Sequence, residues 1–230
     1  MKEKLIILPG WREKVESFSE LKELLKEIET EIVPLPGFQE KLNQPYTFQD
    51  YLNYLEEKLK NFENFYLLGH SFGGALSLLL AIKNPEKIKK LILYNAAIVR
   101  EKNLKKKIIS SLVKILKPCE KILPQKLIFF LKKFFYRFIV KSYDYFLIDE
   151  NLKKTFANIN QDLREKAKFL NTKTILLWGK NDKITPLKHA LILKDIIKEA
   201  NLIIIEGGHS PHKENPEKFA KILTEIIFAK

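Results

Sequence analysis

A chain of 230 residues, 46% hydrophobic and 30% charged, is one domain's worth of sequence with enough apolar residues for a sizeable core. Its single cysteine, Cys119, excludes a disulfide framework and suits a reducing compartment, and no apolar run reaches the length of a membrane span. The formal net charge of +13 is concentrated: Arg100 to Lys168 carries 18 Lys and Arg against 7 Asp and Glu, leaving 23 against 21 elsewhere, which argues against a nucleic-acid module.

The opening Met-Lys-Glu-Lys-Leu-Ile-Ile-Leu-Pro-Gly is too short and too acidic for a signal peptide, so a cytoplasmic protein is expected. Within it, Lys4 to Leu8 reads as a buried strand stopped by Pro9 and Gly10. Ser17 or Ser19 is the candidate cap of a helix running to about Glu29, with Leu21, Leu24, Leu25 and Ile28 on one face. Glu31 to Val33 is a short strand, followed by the turn Pro34-Leu35-Pro36-Gly37-Phe38. Thr47, with Asp50 three residues on, caps a helix whose inner face is Tyr51, Leu52, Leu55 and Leu59.

Phe65 to Leu68 is a continuous apolar run, as in a strand buried on both faces, and Ala75 to Lys83 is rich in helix formers. Strand turns into helix with almost no loop, and Ser71 sits at the turn between Gly69 and Gly73. So tight a turn strains the serine, lifts its oxygen above the sheet and leaves no room for a Cβ at either flank. The helix beginning there aims free N–H groups and its positive dipole end at any negative charge that develops. Ser71 is therefore the candidate nucleophile; the alternative is a chance match in which it only caps the helix.

Asn84-Pro85 ends that helix, and Lys89 to Tyr94 is the next strand. Strands alternating with helices predict a parallel sheet covered on both faces. From Ile98 to Phe169 the alternation stops and helical spacing takes over: Leu127, Phe130, Leu131, Phe134 and Phe138 form a stripe, with Lys126, Lys132, Lys133, Arg137 and Lys141 beside it. Thr174 to Trp178 resumes the sheet, Pro186 opens a helix, and Leu202 to Ile205 is a last strand before Glu206-Gly207-Gly208-His209.

A serine hydroxyl needs a base within reach, and the base needs an acceptor that fixes its tautomer. Ser71, Asp182 and His209 each follow a predicted strand at its C-terminal end, so all three gather on one sheet edge. His70, His189 and His212 are weaker rivals for the base. His70 points away from the nucleophile's face, His189 sits in a helix, and His212 lies three residues past the better match. Asp162 and Asp195 are weaker acids because neither follows a strand. No metal or cofactor site is expected: there is one Cys, the histidines lack ligand spacing, and no Gly-rich phosphate loop is present.

The string Gly-His-Ser-Phe-Gly-Gly around Ser71 resembles the nucleophile elbow of the α/β-hydrolase superfamily. Trp178-Gly-Lys-Asn-Asp-Lys-Ile-Thr-Pro186 resembles its acid loop, and Gly-His-Ser-Pro-His-Lys-Glu-Asn-Pro-Glu-Lys-Phe its histidine loop and final helix. The resemblance implies an α/β fold: a mostly parallel sheet of about six strands without the family's N-terminal hairpin, helices on both faces, and a helical lid. Residues 1–98 and 169–230 would be the core and 99–168 the basic lid. Asp182 would be the acid, His209 the base, and the N–H groups of Trp11 and Phe72 the oxyanion hole. Where the family often has His-Gly-x after its first loop-bearing strand, Pro9 stands in the histidine's place, which leaves the bracing of that loop open.

The expected activity is hydrolysis of a carboxylic ester or thioester through an acyl-enzyme on Ser71, acting on a small-molecule ester or acyl substrate without cofactor. Other readings are a lysophospholipase-like or acyl-carrier-directed esterase and a non-catalytic ligand-binding protein on the same scaffold. The basic lid would also allow transient contact with an anionic membrane surface, unless the lysines reflect composition bias alone.

Overall fold

The computed structural model describes residues 2–101 and 149–229. Its strands are β1 (Glu3–Leu8), β2 (Ile28–Ile32), β3 (Phe65–His70), β4 (Ile88–Tyr94), β5 (Thr174–Gly179) and β6 (Asn201–Ile205). They form one six-stranded sheet in the order β2-β1-β3-β4-β5-β6, with every neighbouring pair parallel. The helices are α1 (Ser19–Leu24), α2 (Phe48–Lys58), α3 (Phe72–Lys83), α4 (Glu150–Ile159), α5 (Arg164–Ala167), α6 (Leu187–Ile196), α7 (Pro211–Glu214) and α8 (Pro216–Phe228).

Strand periodicity divides the core into two layers. From β1, Leu5 and Ile7 point to the face covered by Leu21 of α1 and by Phe219, Leu223 and Ile227 of α8. Ile6 and Leu8 point to the opposite face, where Tyr51 and Leu55 of α2, Leu76 of α3 and Leu193 of α6 pack. The chain goes to β2 on one side of β1 and to β3 on the other. The crevice at the carboxyl ends of β1 and β3 is therefore the switch point where open α/β sheets place their sites.

Two local expectations are corrected. The helix predicted to run to Glu29 ends at Leu24, and Ile28 opens β2 paired with Glu3. Ile-Glu-Thr-Glu-Ile buries Ile28 and Thr30 alternately, so β-branched residues and pairing with β1 outweigh the helical spacing. Neither Ser17 nor Ser19 caps α1: a 3-10 turn, Val15–Phe18, leads into it, and Ser17 Oγ donates to the Lys14 carbonyl at 2.8 Å. Thr47 does cap α2, in a capping box with Asp50.

The aromatic stripe Leu127, Phe130, Leu131, Phe134 and Phe138, its flanking lysines with Arg137, and Cys119 lie outside the described residues. Of the segment read as a lid, α4 buries Leu152, Thr155 and Ile159. It is tied to the α2 side by Thr155 Oγ1, which accepts the Tyr46 N–H at 2.8 Å, and by Asn158 Nδ2, which donates to the Tyr46 carbonyl at 3.1 Å. Among the described residues no helix is long and apolar enough to cross a membrane.

Candidate active site

The elbow is built as its glycines require. Ser71 has φ 51° and ψ −112°, a left-handed conformation that costs a non-glycine residue about 1–3 kcal/mol. It is held there by its own backbone: the N–H donates to the Tyr94 carbonyl at 3.0 Å, and the carbonyl accepts the Ala97 N–H at 2.8 Å. A Cβ on Gly69 would collide with Ser77 Oγ and the Gly73 carbonyl, and one on Gly73 with the carbonyls of Leu8 and Pro9. The second contact presses α3 against the end of β1. The loop after β1 therefore lies beside the serine, where a Cβ on Gly10 would come within 3.3 Å of Ser71 Cβ.

Among the described residues no hydrogen bond is found from the backbone N–H of Trp11 or from that of Phe72, the residue after Ser71. The Trp11 ring is set edge-on to Phe72 and Phe38, with centroids 5.7 and 5.1 Å away, and tilts against Phe156 of α4 at 5.2 Å.

Asp182 follows β5 and His209 follows β6, and the structure brings them together: His209 Nδ1 donates to Asp182 Oδ2 at 2.7 Å. Thr185 Oγ1 also donates to Oδ2 at 2.7 Å, while Oδ1 accepts the N–H groups of Ile184 and Thr185 at 2.7 and 2.9 Å. Burial alone would push the Asp182 carboxyl up, but the bonds from His209 and Thr185 outweigh it and hold the group below its ordinary value. An ionised Asp182 keeps the proton on Nδ1 and the lone pair of His209 on Nε2. Ser71 Oγ and His209 Nε2 are not hydrogen-bonded to each other, a contact that often tightens only with substrate bound.

Three residues of the site escaped sequence reasoning. Asn95, fully buried at the end of β4 with φ 43°, accepts the Gly179 N–H at 2.8 Å. It donates to the carbonyls of Gly208 and His209 at 3.1 and 2.9 Å, so one side chain fastens both loops of the Asp–His pair. The signal available was a polar residue directly after the apolar run Leu91–Tyr94, between the nucleophile and acid loops. Thr185 was part of the acid-loop string without a stated role. Glu13 carried no motif at all, yet its Oε2 accepts the Gly10 N–H at 2.8 Å and so holds the turn that Pro9 interrupts.

His70 lies between Glu13 and the His209 carbonyl, and His212 stacks on Phe18 at 4.2 Å. His189 is buried in α6, Asp162 is bonded by Arg164, and Asp195 is exposed. No metal-ligand spacing was visible in the sequence, but the fold brings ligand atoms of Glu13, His70 and His212 within 4.8 Å of one another. The Glu13 carboxylate there is already met by the Gly10 N–H, by His70 and by Lys213 Nζ at 2.7 Å.

Comparison with known proteins bears on the family and the fold. The sequence profile of the Alpha/beta hydrolase family matches residues 5–222. A pimeloyl-[acyl-carrier protein] methyl ester esterase of Wigglesworthia glossinidia brevipalpis is 27% identical over 221 residues, covering 85% of this chain and 82% of that protein. A hydrolase from Pseudomonas aeruginosa PA01 superposes with a TM-score of 0.74 at 18% identity, over 99% of this chain and 91% of that one. An esterase from Exiguobacterium antarcticum gives 0.73 at 20% identity, over 98% and 91%.

Proposed function

The chain belongs to the alpha/beta hydrolase family, and from that premise we propose that it is a serine esterase that cleaves a carboxylic ester or thioester through an acyl-enzyme on Ser71. Ser71 Oγ attacks the substrate carbonyl while His209 Nε2 takes its proton. Asp182 holds Nδ1–H and stabilises the imidazolium. The N–H groups of Trp11 and Phe72 receive the negative charge that builds on the carbonyl oxygen. Collapse expels the alcohol or thiol, which takes the proton back from His209. Water, deprotonated by the same nitrogen, then releases the acid and restores the serine.

The observation that carries this reading is the Asp182–His209 hydrogen bond of 2.7 Å on the same sheet edge as a serine held at φ 51°. The test is hydrolysis of p-nitrophenyl esters from acetyl to palmitoyl by wild type and Ser71→Ala. Turnover is expected in the wild type and a loss of at least about 10³-fold in the variant, since binding and the oxyanion hole retain only residual catalysis. Equal rates would overturn the assignment. Ligand binding that persists in both proteins without turnover would favour the non-catalytic reading.

A narrower substrate class has support of its own. The similarity to an esterase acting on an acyl-carrier-protein ester, together with the net charge of +13, favours an acyl chain presented on an anionic carrier or head group. Most of that positive excess lies within residues 100–168, the segment proposed as the lid over the site.

A further inference from the structure

Glu13 is nearly buried, its side chain 7% exposed, and the hydrolytic steps do not use it. Three donors and a fourth nitrogen surround it. Oε2 takes the Gly10 N–H at 2.8 Å and His70 Nδ1 at 2.6 Å, and Oε1 takes Lys213 Nζ at 2.7 Å. His212 Nε2 approaches Oε1 at 3.3 Å, without the alignment of a hydrogen bond. Burial would raise this carboxyl, but the imidazoles of His212 and His70 beside it outweigh that and hold Glu13 well below the usual carboxylate range. A buried carboxylate with three good donors is a stable arrangement; removing the carboxylate would leave those donors unpaired.

The chain of donors continues to the base. His70 Nε2 lies 2.8 Å from the His209 carbonyl, which has only lone pairs to offer, so Nε2 carries a hydrogen. Nδ1, against an ionised Glu13 oxygen, carries one too. The ring is stacked on Tyr94 at 4.6 Å, with the His209 ring at 4.9 Å and the His212 ring at 5.2 Å. Lys213 approaches the far oxygen of Glu13, and Glu214 takes the Gly208 N–H at 2.8 Å.

We infer that Glu13 is a positioning residue: through a doubly protonated His70 it locks the loop carrying Trp11 and the loop carrying His209 into one register. It supplies the bracing that Pro9, with no N–H and no polar side chain, does not give. The lock stands on the contacts above, and only its kinetic consequence rests on the esterase reading. Gly10 and Glu13 lie after β1, His70 ends β3 and His209 follows β6, so the clamp fixes the oxyanion donor and the base relative to each other.

The test pairs a spectroscopic readout with a kinetic one. In protein labelled with 15N-histidine, the wild type at neutral pH is expected to show hydrogens on both ring nitrogens of His70, and Glu13→Gln to lose one of them. In p-nitrophenyl butyrate hydrolysis, Glu13→Gln is expected to lower kcat about 10- to 100-fold with KM within about twofold, the signature of misplaced catalytic groups. A wild-type His70 with a single ring hydrogen overturns the clamp, and so does Glu13→Gln with wild-type kcat. Should the variant not fold, the wild-type spectrum alone decides. A wild type that hydrolyses no ester while His70 carries both hydrogens overturns the esterase reading and supports the clamp.

Discussion

Asp182 Oδ2 receives hydrogens from both His209 Nδ1 and Thr185 Oγ1, and replacing Asp182 by asparagine would put an N–H where one of them needs an acceptor. His209 would be driven to the tautomer with its lone pair on the wrong nitrogen. Asp182→Asn is expected to lower kcat by about 10³- to 10⁴-fold with little change in KM, measured by steady-state ester hydrolysis. The same buried groups set an acid limit on stability. Burial pushes His212 down to about 4, from an ordinary 6.5. Between those values the unfolded chain takes up a proton that the folded His212 does not, so this stability is full above about pH 6.5 and is lost as pH falls towards 4. The loss amounts to about 3 kcal/mol at most. Glu13 and Asp182, both lowered, add stability that is present above their ordinary carboxyl values and lost below them. Thermal melts should show Tm falling from pH 6.5 downwards, and His212→Gln should flatten the upper part of that fall; a flat profile in the wild type would contradict it. The Asp–His pair was legible because each residue ends a strand within a recognisable string. Glu13 and Asn95 were not, because their work is to join loops distant in sequence, and single-chain spacing carries no trace of that.

At the scale of elements, the elbow and the capping box make opposite predictions. Gly73→Ala drives a methyl group into two backbone carbonyls at the end of β1, which cannot move without breaking the sheet. It should abolish soluble, cooperatively melting protein, whereas Thr47→Ala, which removes the α2 cap, should cost only about 1 kcal/mol and leave activity intact. A Gly73→Ala variant with a wild-type melt would refute the close approach of α3 to β1. Elements with one strong signal, such as the fully buried β3 and β5, were readable in sequence. Ile28 was misassigned because Leu21, Leu24, Leu25 and Ile28 fit a helical face as well as an edge strand, and only pairing with β1 decides between them. Caps were readable where both halves of the box are present, at Thr47 and Asp50, and not where a 3-10 turn replaces the cap, before Ser19.

For the whole molecule, the parallel sheet collects every proposed site residue along one edge, and the position of β1 between β2 and β3 opens the crevice they line. The net charge of +13 gives the protein a field that attracts anions. Hydrolysis of an ester on an anionic carrier should fall several-fold as salt is raised, while hydrolysis of a neutral ester stays level; equal salt dependence would remove the charge from substrate choice. The alternation of strands and helices made this architecture legible in the sequence, because it reflects the hydrophobic periodicity of the segments that build the sheet. The most direct test of the central claim is intact-mass and peptide mass spectrometry after incubation with a fluorophosphonate. One adduct, on Ser71, is expected in the wild type and none in Ser71→Ala. An unlabelled wild type, or an adduct on another residue, would contradict it.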